Sequence, residues 1–144
     1  MIKFSICFIT SDSLILYIFP VFTQSCDDEW TSHNGHCYKI FYERLAWIST
    51  VQACNAVNGY VVTINDNNEH TFLSGMLPSG MLCWTSGSHF TTTNDWKWDT
   101  GETWNYTNWD NYLKENTGCL YVHDSQWMVD ECSTIKNYVC ERES

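Results

Sequence analysis

Eight cysteines in a chain of 144 residues restrict its fold more than any other feature. In a reducing compartment so many thiols stay unbonded or bind metal, whereas a secreted chain uses them as cross-links. A chain of this length forms one domain with a modest core, which cross-links help to hold. Cys7 lies in an amino-terminal leader, which leaves Cys26, Cys37, Cys54, Cys83, Cys119, Cys132 and Cys140. Seven is odd, so at least one of them is unpaired or bonded to another chain, and spacing alone does not fix the connectivity.

The leader reading rests on residues 1–25. Lys3 precedes an apolar run in two pieces, Phe4 to Ile9 and Leu14 to Phe22, with Asp12 between them, and small residues, Thr23 and Ser25, stand before Cys26. That is the layout of a cleaved signal peptide. The nine apolar residues from Leu14 to Phe22 fall short of the roughly 20 that span a bilayer. The expectation is a secreted, extracellular chain with a signal peptide at 1–25, one domain at 26–144 and no membrane span.

Charge narrows the partners. Asp and Glu number 17 against 7 Lys and Arg, so no basic surface exists to neutralise phosphates, and nucleic acid is excluded. An anionic membrane surface is excluded on the same ground. Eight Trp and eight Tyr are many for this length; such side chains fill cores and also make contact surfaces.

Along the chain, Ser32-His33-Asn34-Gly35 reads as a turn leading into a strand at Tyr38 to Phe41. Leu45, Ile48 and Val51, with Trp47, Cys54 and Val57, follow helical spacing, and Asn58-Gly59 ends it, the glycine suited to a left-handed position. Tyr60 to Ile64 reads as a short strand or extended link, and Asp66 to Asn68 cap a second helix reaching about Gly75, with Phe72 and Leu73 inward. Short strands follow at Leu82 to Thr85, Trp96 to Trp98, Leu120 to Val122, Gln126 to Val129 and Tyr138 to Cys140. The interval Ser86 to Gly118 is rich in Thr, Asn, Asp, Gly and Trp, and a loop region this long is usually functional. Helices first and strands later give an α+β class.

These residues, taken in order, resemble the long form of the C-type lectin-like domain. Trp30, Gly35 and Tyr38-Lys39 between Cys26 and Cys37 are similar to its extra hairpin. Trp47, Ala53-Cys54, Gly59 and Val62-Thr63-Ile64 are similar to its first helix and following strand. Trp84-Thr85-Ser86-Gly87, Trp96-Lys97-Trp98-Asp99-Thr100-Gly101, Tyr106-Thr107-Asn108-Trp109, Trp127 and Tyr138-Val139-Cys140-Glu141 complete the frame. The resemblance implies two helices flanking short antiparallel strands, a long loop region, and the pairs Cys26–Cys37, Cys54–Cys140 and Cys119–Cys132. Cys83 is left over. It is read as a buried free thiol, the alternative being an interchain disulfide that makes a dimer. Members of the family that join chains do so through a loop cysteine, which position 83 suits poorly.

Sugar-binding members hold calcium with a Glu-Pro-Asn type motif, a Glu shortly before a core cysteine and a Trp-Asn-Asp motif, supplying the six to eight oxygens that calcium takes. Here Asp-Asn-Tyr-Leu-Lys-Glu-Asn-Thr-Gly fills the interval between Trp109 and Cys119, Thr117 stands two residues before Cys119, and Trp127 is followed by Met128 and Val129. Met and Val offer no oxygen to a hard cation. No cofactor is therefore assigned. Calcium could enter only through a rearranged set of the acids Asp110, Glu115, Asp124, Asp130 and Glu131, which read more simply as a solvated face.

The five histidines, His33, His36, His70, His89 and His123, show no helical zinc spacing, and no nucleophile elbow occurs. The chain reads as a non-enzyme. Candidate ligand contacts are Trp104, Tyr112, Glu115, Asn116, Asp130 and Glu131, with Trp109 assigned to the core. Asn105-Tyr106-Thr107 is a glycosylation sequon; its competing reading is an unmodified Asn in a strand. The resemblance implies a recognition module for an extracellular glycan or glycoprotein, as monomer or dimer. The broken motifs shift weight away from a calcium-bridged sugar. A calcium-dependent lectin with an atypical site, and a disulfide-linked subunit joined through Cys83, are the alternatives.

Overall fold

The computed structural model describes residues 3–7, 17–21, 25–92, 95–109, 113 and 116–144. Two strands within the first 25 residues, β1 (Lys3–Cys7) and β2 (Tyr17–Val21), pair antiparallel with each other and, among the described residues, with no other strand.

The rest is built on one sheet. A tight hairpin joins β3 (Thr31–His33) to β4 (His36–Leu45). Asn34 and Gly35 both take positive φ there, the pair of values that a two-residue hairpin turn requires. Helix α1 (Trp47–Ala56) follows, then β5 (Tyr60–Val61), helix α2 (Asn67–Met76), β6 (Cys83–His89), β7 (Lys97–Trp98), β8 (Gly118–His123), β9 (Gln126–Asp130) and β10 (Lys136–Glu143). The strand order is β3-β4-β10-β6-β8-β9, with β5 added to β10 and β7 to β6. All pairings in this sheet are antiparallel except β10 with β6, where Asn137 lies opposite Cys83 and Tyr138 opposite Trp84. The sequence reading of antiparallel strands is corrected at that pair. No local pattern reports it, because a long crossover brings the chain's end beside β6.

α2 starts as its sequence suggests: the Asp66 carboxylate accepts from the Glu69 amide at 2.8 Å. At the end of α1 the expectation is corrected. Asn58 takes the left-handed conformation (φ 58), not Gly59. Gly59 is needed because β10 passes close by: a Cβ there would lie 2.6 Å from the Glu141 carbonyl oxygen. Of the stretch Tyr60 to Ile64, only Tyr60–Val61 is strand; Val62 still donates to the Val139 carbonyl at 3.0 Å, and residues 62–64 are buried.

Three disulfides clamp this frame. Cys26–Cys37 fastens the amino end to β4, Cys54–Cys140 joins α1 to β10, and Cys119–Cys132 ties β8 to the segment after β9. Two apolar clusters fill the interior. One gathers Trp47, Val61, Trp84 and Tyr138 around Cys54–Cys140; the other gathers Val62, Ile64, Leu73, Leu120 and Val139 with Trp98 and Trp127. The indoles also carry polar links: Trp47 donates to the Thr85 carbonyl at 2.8 Å and Trp84 to the Leu45 carbonyl at 3.0 Å. Cys83 contributes to the second cluster as an unbonded thiol, 1 % exposed.

Candidate functional site

Residues 101–108 have no regular structure and are held by aromatic packing instead. Trp98 and Trp104 stack with ring centres 4.2 Å apart, Trp104 and Trp109 stack at 5.5 Å, and Trp96 lies 4.8 Å from Trp109. Trp127, projecting from β9, meets Trp98, Trp104, Trp109 and Tyr106 edge-on. Offset and edge-on arrangements are the favourable ones for aromatic quadrupoles. The loop thus has a tryptophan floor, and the floor is continuous with the core. Trp104 and Trp109 are both half-buried in it. Trp104 therefore presents only part of its ring.

Polar contacts pin the same loop to α2. His70 accepts from the Trp127 indole at 3.2 Å, Asn108 lies 3.1 Å from the other ring nitrogen, and the Tyr106 hydroxyl donates to the Asn67 side chain at 3.3 Å. The Asn108 amide also donates to the Ser125 carbonyl at 3.1 Å, so the loop bridges α2 and the β8–β9 turn. Burial lowers the pKa of His70 and keeps the ring neutral, as its acceptor role requires.

On β9 the positions after Trp127 carry no free oxygen donor. Val129 packs against the core and crowds Gly118, whose φ is +145 and where a Cβ would lie 3.0 Å from a Val129 methyl. The Asp130 carboxylate is engaged on both oxygens. One accepts from the Glu131 amide at 2.8 Å; the other takes Lys136 at 2.5 Å and the Thr134 hydroxyl at 3.1 Å. Lys136 holds the Asp130 carboxyl below the usual range. Lys136 itself is 4 % exposed, between the faces of Trp84 and Tyr121 at 4.7 and 4.5 Å. Asn116 and Glu131 are exposed at the same end of the β8–β9 pair, where Cys119 lies opposite Asp130. Asp110, Tyr112 and Glu115 lie outside the described residues. Among the described residues, no three His, Cys, Asp or Glu side chains gather in a way that could hold a metal ion.

One cluster escaped the sequence reading. Glu141 of β10 and Glu69 of α2, both buried, converge on the Tyr38 hydroxyl, which donates to Glu69 at 2.7 Å and lies 3.4 Å from Glu141. Glu141 also accepts from the Thr63 amide at 3.2 Å and the Tyr60 hydroxyl at 3.2 Å, and meets His36 at 2.6 Å. Burial, then the neighbouring Glu69 charge, pushes the Glu141 carboxyl up to about 7. Burial raises Glu69 as well. The only local signal is a pair of acids in otherwise core-facing segments. It is not decisive, since acids are ordinarily solvated.

The Cys83 thiol is pushed up to about 12 by burial, which makes it unreactive. No helix among the described residues is long and apolar enough to cross a membrane.

Comparison with known proteins places this architecture. The model of the Lectin C-type domain matches residues 43–142. The beta subunit of the snaclec echicetin from Echis carinatus sochureki is 27% identical over 122 residues, covering 81% of this chain and 98% of that one. Human lithostathine superposes with a TM-score of 0.77 at 19% identity, covering 83% of this chain and 92% of that one. The carbohydrate-recognition domain of the mouse scavenger receptor C-type lectin gives 0.75 at 23% identity, covering 82% and 96%. With its α+β frame, its three disulfides and a family match over most of its length, this chain belongs to the C-type lectin domain family.

Proposed function

We propose that the chain is a secreted, non-enzymatic recognition module that binds an extracellular glycan or glycoprotein without a calcium bridge, and that residues 1–25 are its cleaved leader. The observation that carries the calcium-independent reading is the Asp130–Lys136 pair at 2.5 Å. For Asp130 to bind a cation, its carboxylate would have to leave a lysine that is 4 % exposed, stranding a buried charge. Met128 and Val129 beside it supply no oxygen. The glycan class is supported by family membership and by the carbohydrate-recognition domain among the structural neighbours. Contacts are assigned to exposed Asn116 and Glu131, to Asp130, to the accessible part of Trp104, and to Tyr112 and Glu115 from the sequence between them.

The test is calcium titration by calorimetry on the folded, disulfide-bonded domain, followed by a glycan array read with calcium and with chelator. The expected result is no calcium heat and array signals unchanged by chelator. Saturable calcium heat together with chelator-sensitive glycan binding would return the chain to the calcium-dependent lectins.

A second reading has one observation in its favour: the echicetin relative is named as a subunit. That name supports a reading in which this chain assembles with a second one, but a covalent link through Cys83 does not fit a thiol that is 1 % exposed.

A further inference from the structure

We propose that Asn105 is an N-glycan acceptor and that its glycan stands over the tryptophan-floored loop; this rests on the secretory reading above. A sequon that carries a bulky, hydrated glycan needs its Asn side chain in solvent in the folded chain, with room around it. Asn105-Tyr106-Thr107 meets each condition. It lies within residues 101–108, which carry no regular structure, so the competing placement in a strand does not hold.

The side chains alternate along this stretch. Trp104 and Tyr106 are half-buried, whereas Asn105 and Thr107 are exposed. Exposure alternates residue by residue here, so the contacts that anchor 104 and 106 leave 105 and 107 facing solvent. The anchors are the Trp98–Trp104 stack at 4.2 Å, the Tyr106–Trp127 contact at 5.7 Å and the Tyr106 hydroxyl bond to Asn67 at 3.3 Å. The aromatic packing that forms the floor therefore presents the sequon. The first sugars would stand beside Trp104 and Tyr106, whose partly exposed rings offer apolar faces. A hydrated glycan there denies this part of the loop to a broad protein surface. Contacts then shift toward Asn116 and Glu131 at the end of the β8–β9 pair.

The experiment is expression of the full chain in a eukaryotic secretory host, with intact-mass and peptide mapping of the medium and of the cells. The expected product is secreted, heavier than its polypeptide, and returned to polypeptide mass by peptide N-glycosidase with position 105 then read as Asp. Asn105→Gln and Thr107→Ala should each abolish the modification, and Thr107→Ser should keep it, which separates loss of the acceptor from loss of folding. A secreted wild-type chain at bare polypeptide mass, or modification that survives Asn105→Gln, would overturn the acceptor. A chain that stays in the cytosol would overturn the secretory reading and the acceptor with it. Limited chymotrypsin digestion tests the shielding: cleavage after Tyr106 should be slower in the glycosylated form than after enzymatic deglycosylation. Equal rates would overturn the shielding.

Discussion

The Nδ1 atom of His36 lies 2.6 Å from Oε1 of Glu141, a carboxylate whose side chain is only 2 % exposed. The contact joins the amino-terminal hairpin to the last strand. It sits in a cluster with a second buried acid, Glu69, and with the hydroxyls of Tyr38 and Tyr60, both of whose pKa values burial raises. Glu102 and Glu143 add negative charge near Tyr60. Two acids this close cannot both ionise cheaply, so the folded chain retains a proton that the unfolded chain releases.

That proton gives the first prediction. The Glu141 pKa is raised from 4.5 to about 7, so the folded state binds more protons than the unfolded state between those values. The resulting stability is complete below the unfolded pKa and is lost as pH rises through about 7. Melting temperature measured across this window should fall toward the alkaline side. Glu141→Gln, which fixes a neutral side chain, should flatten that fall. An unchanged slope in the variant would show that the proton resides elsewhere.

His70 acts with the opposite sign. Its pKa is lowered by burial, so its contribution is present above the unfolded value of 6.5 and is lost as pH falls through the folded value. Protonation removes the acceptor for the Trp127 indole. Acidification should therefore loosen the loop, read as increased quenching of tryptophan fluorescence by acrylamide. His70→Gln should remove the acid transition and leave the alkaline one.

Asp130→Asn leaves Lys136 in its aromatic slot without a counter-charge. The expected loss is about 1–2 kcal/mol in denaturant unfolding, less than for a fully buried pair because Asp130 is partly solvated. Asp130→Asn with Lys136→Met removes both charges and should recover most of the loss. Independent, additive effects in the double variant would mean that the pair does not couple.

The Cys54–Cys140 bridge closes 86 residues and Cys26–Cys37 closes 11. In the chain-entropy model the longer loop contributes about 4.5 kcal/mol and the shorter somewhat under 3. Replacing Cys54 and Cys140 by Ala should thus lower stability more than replacing Cys26 and Cys37. Cys83 should resist maleimide in the native protein and react fully in denaturant, and a gel without reductant should show a monomer. A native dimer band that disappears in Cys83→Ser would contradict the buried thiol.

Gly59→Ala tests the close approach of α1's end to β10. A Cβ 2.6 Å from the Glu141 carbonyl oxygen forces backbone to move, at a cost of about 2–3 kcal/mol by thermal or denaturant unfolding. Asn58→Gly, at the left-handed position itself, should change stability little, because glycine adopts that conformation without strain.

The sequence by itself determined the class and most of the frame. Helical spacing around Trp47, Val51 and Cys54, the Asp66 cap, the Asn34-Gly35 turn and the ordered Trp and Cys positions are local signals, each set by backbone preference or side-chain period. It also showed what the β9 face lacks, since Met128 and Val129 are named in the chain whatever surrounds them. Only the tertiary structure decided how distant residues meet. The parallel β10–β6 pair, the use of Gly59 for close approach, the burial of Lys136 between Trp84 and Tyr121 and the shared proton around Glu141 all join segments far apart in sequence. Their energies come from burial and from charges brought close by folding, and neither is written in local spacing. The cysteines show both levels: their number and order were legible early, while burial among core side chains fixed Cys83 as an unbonded thiol.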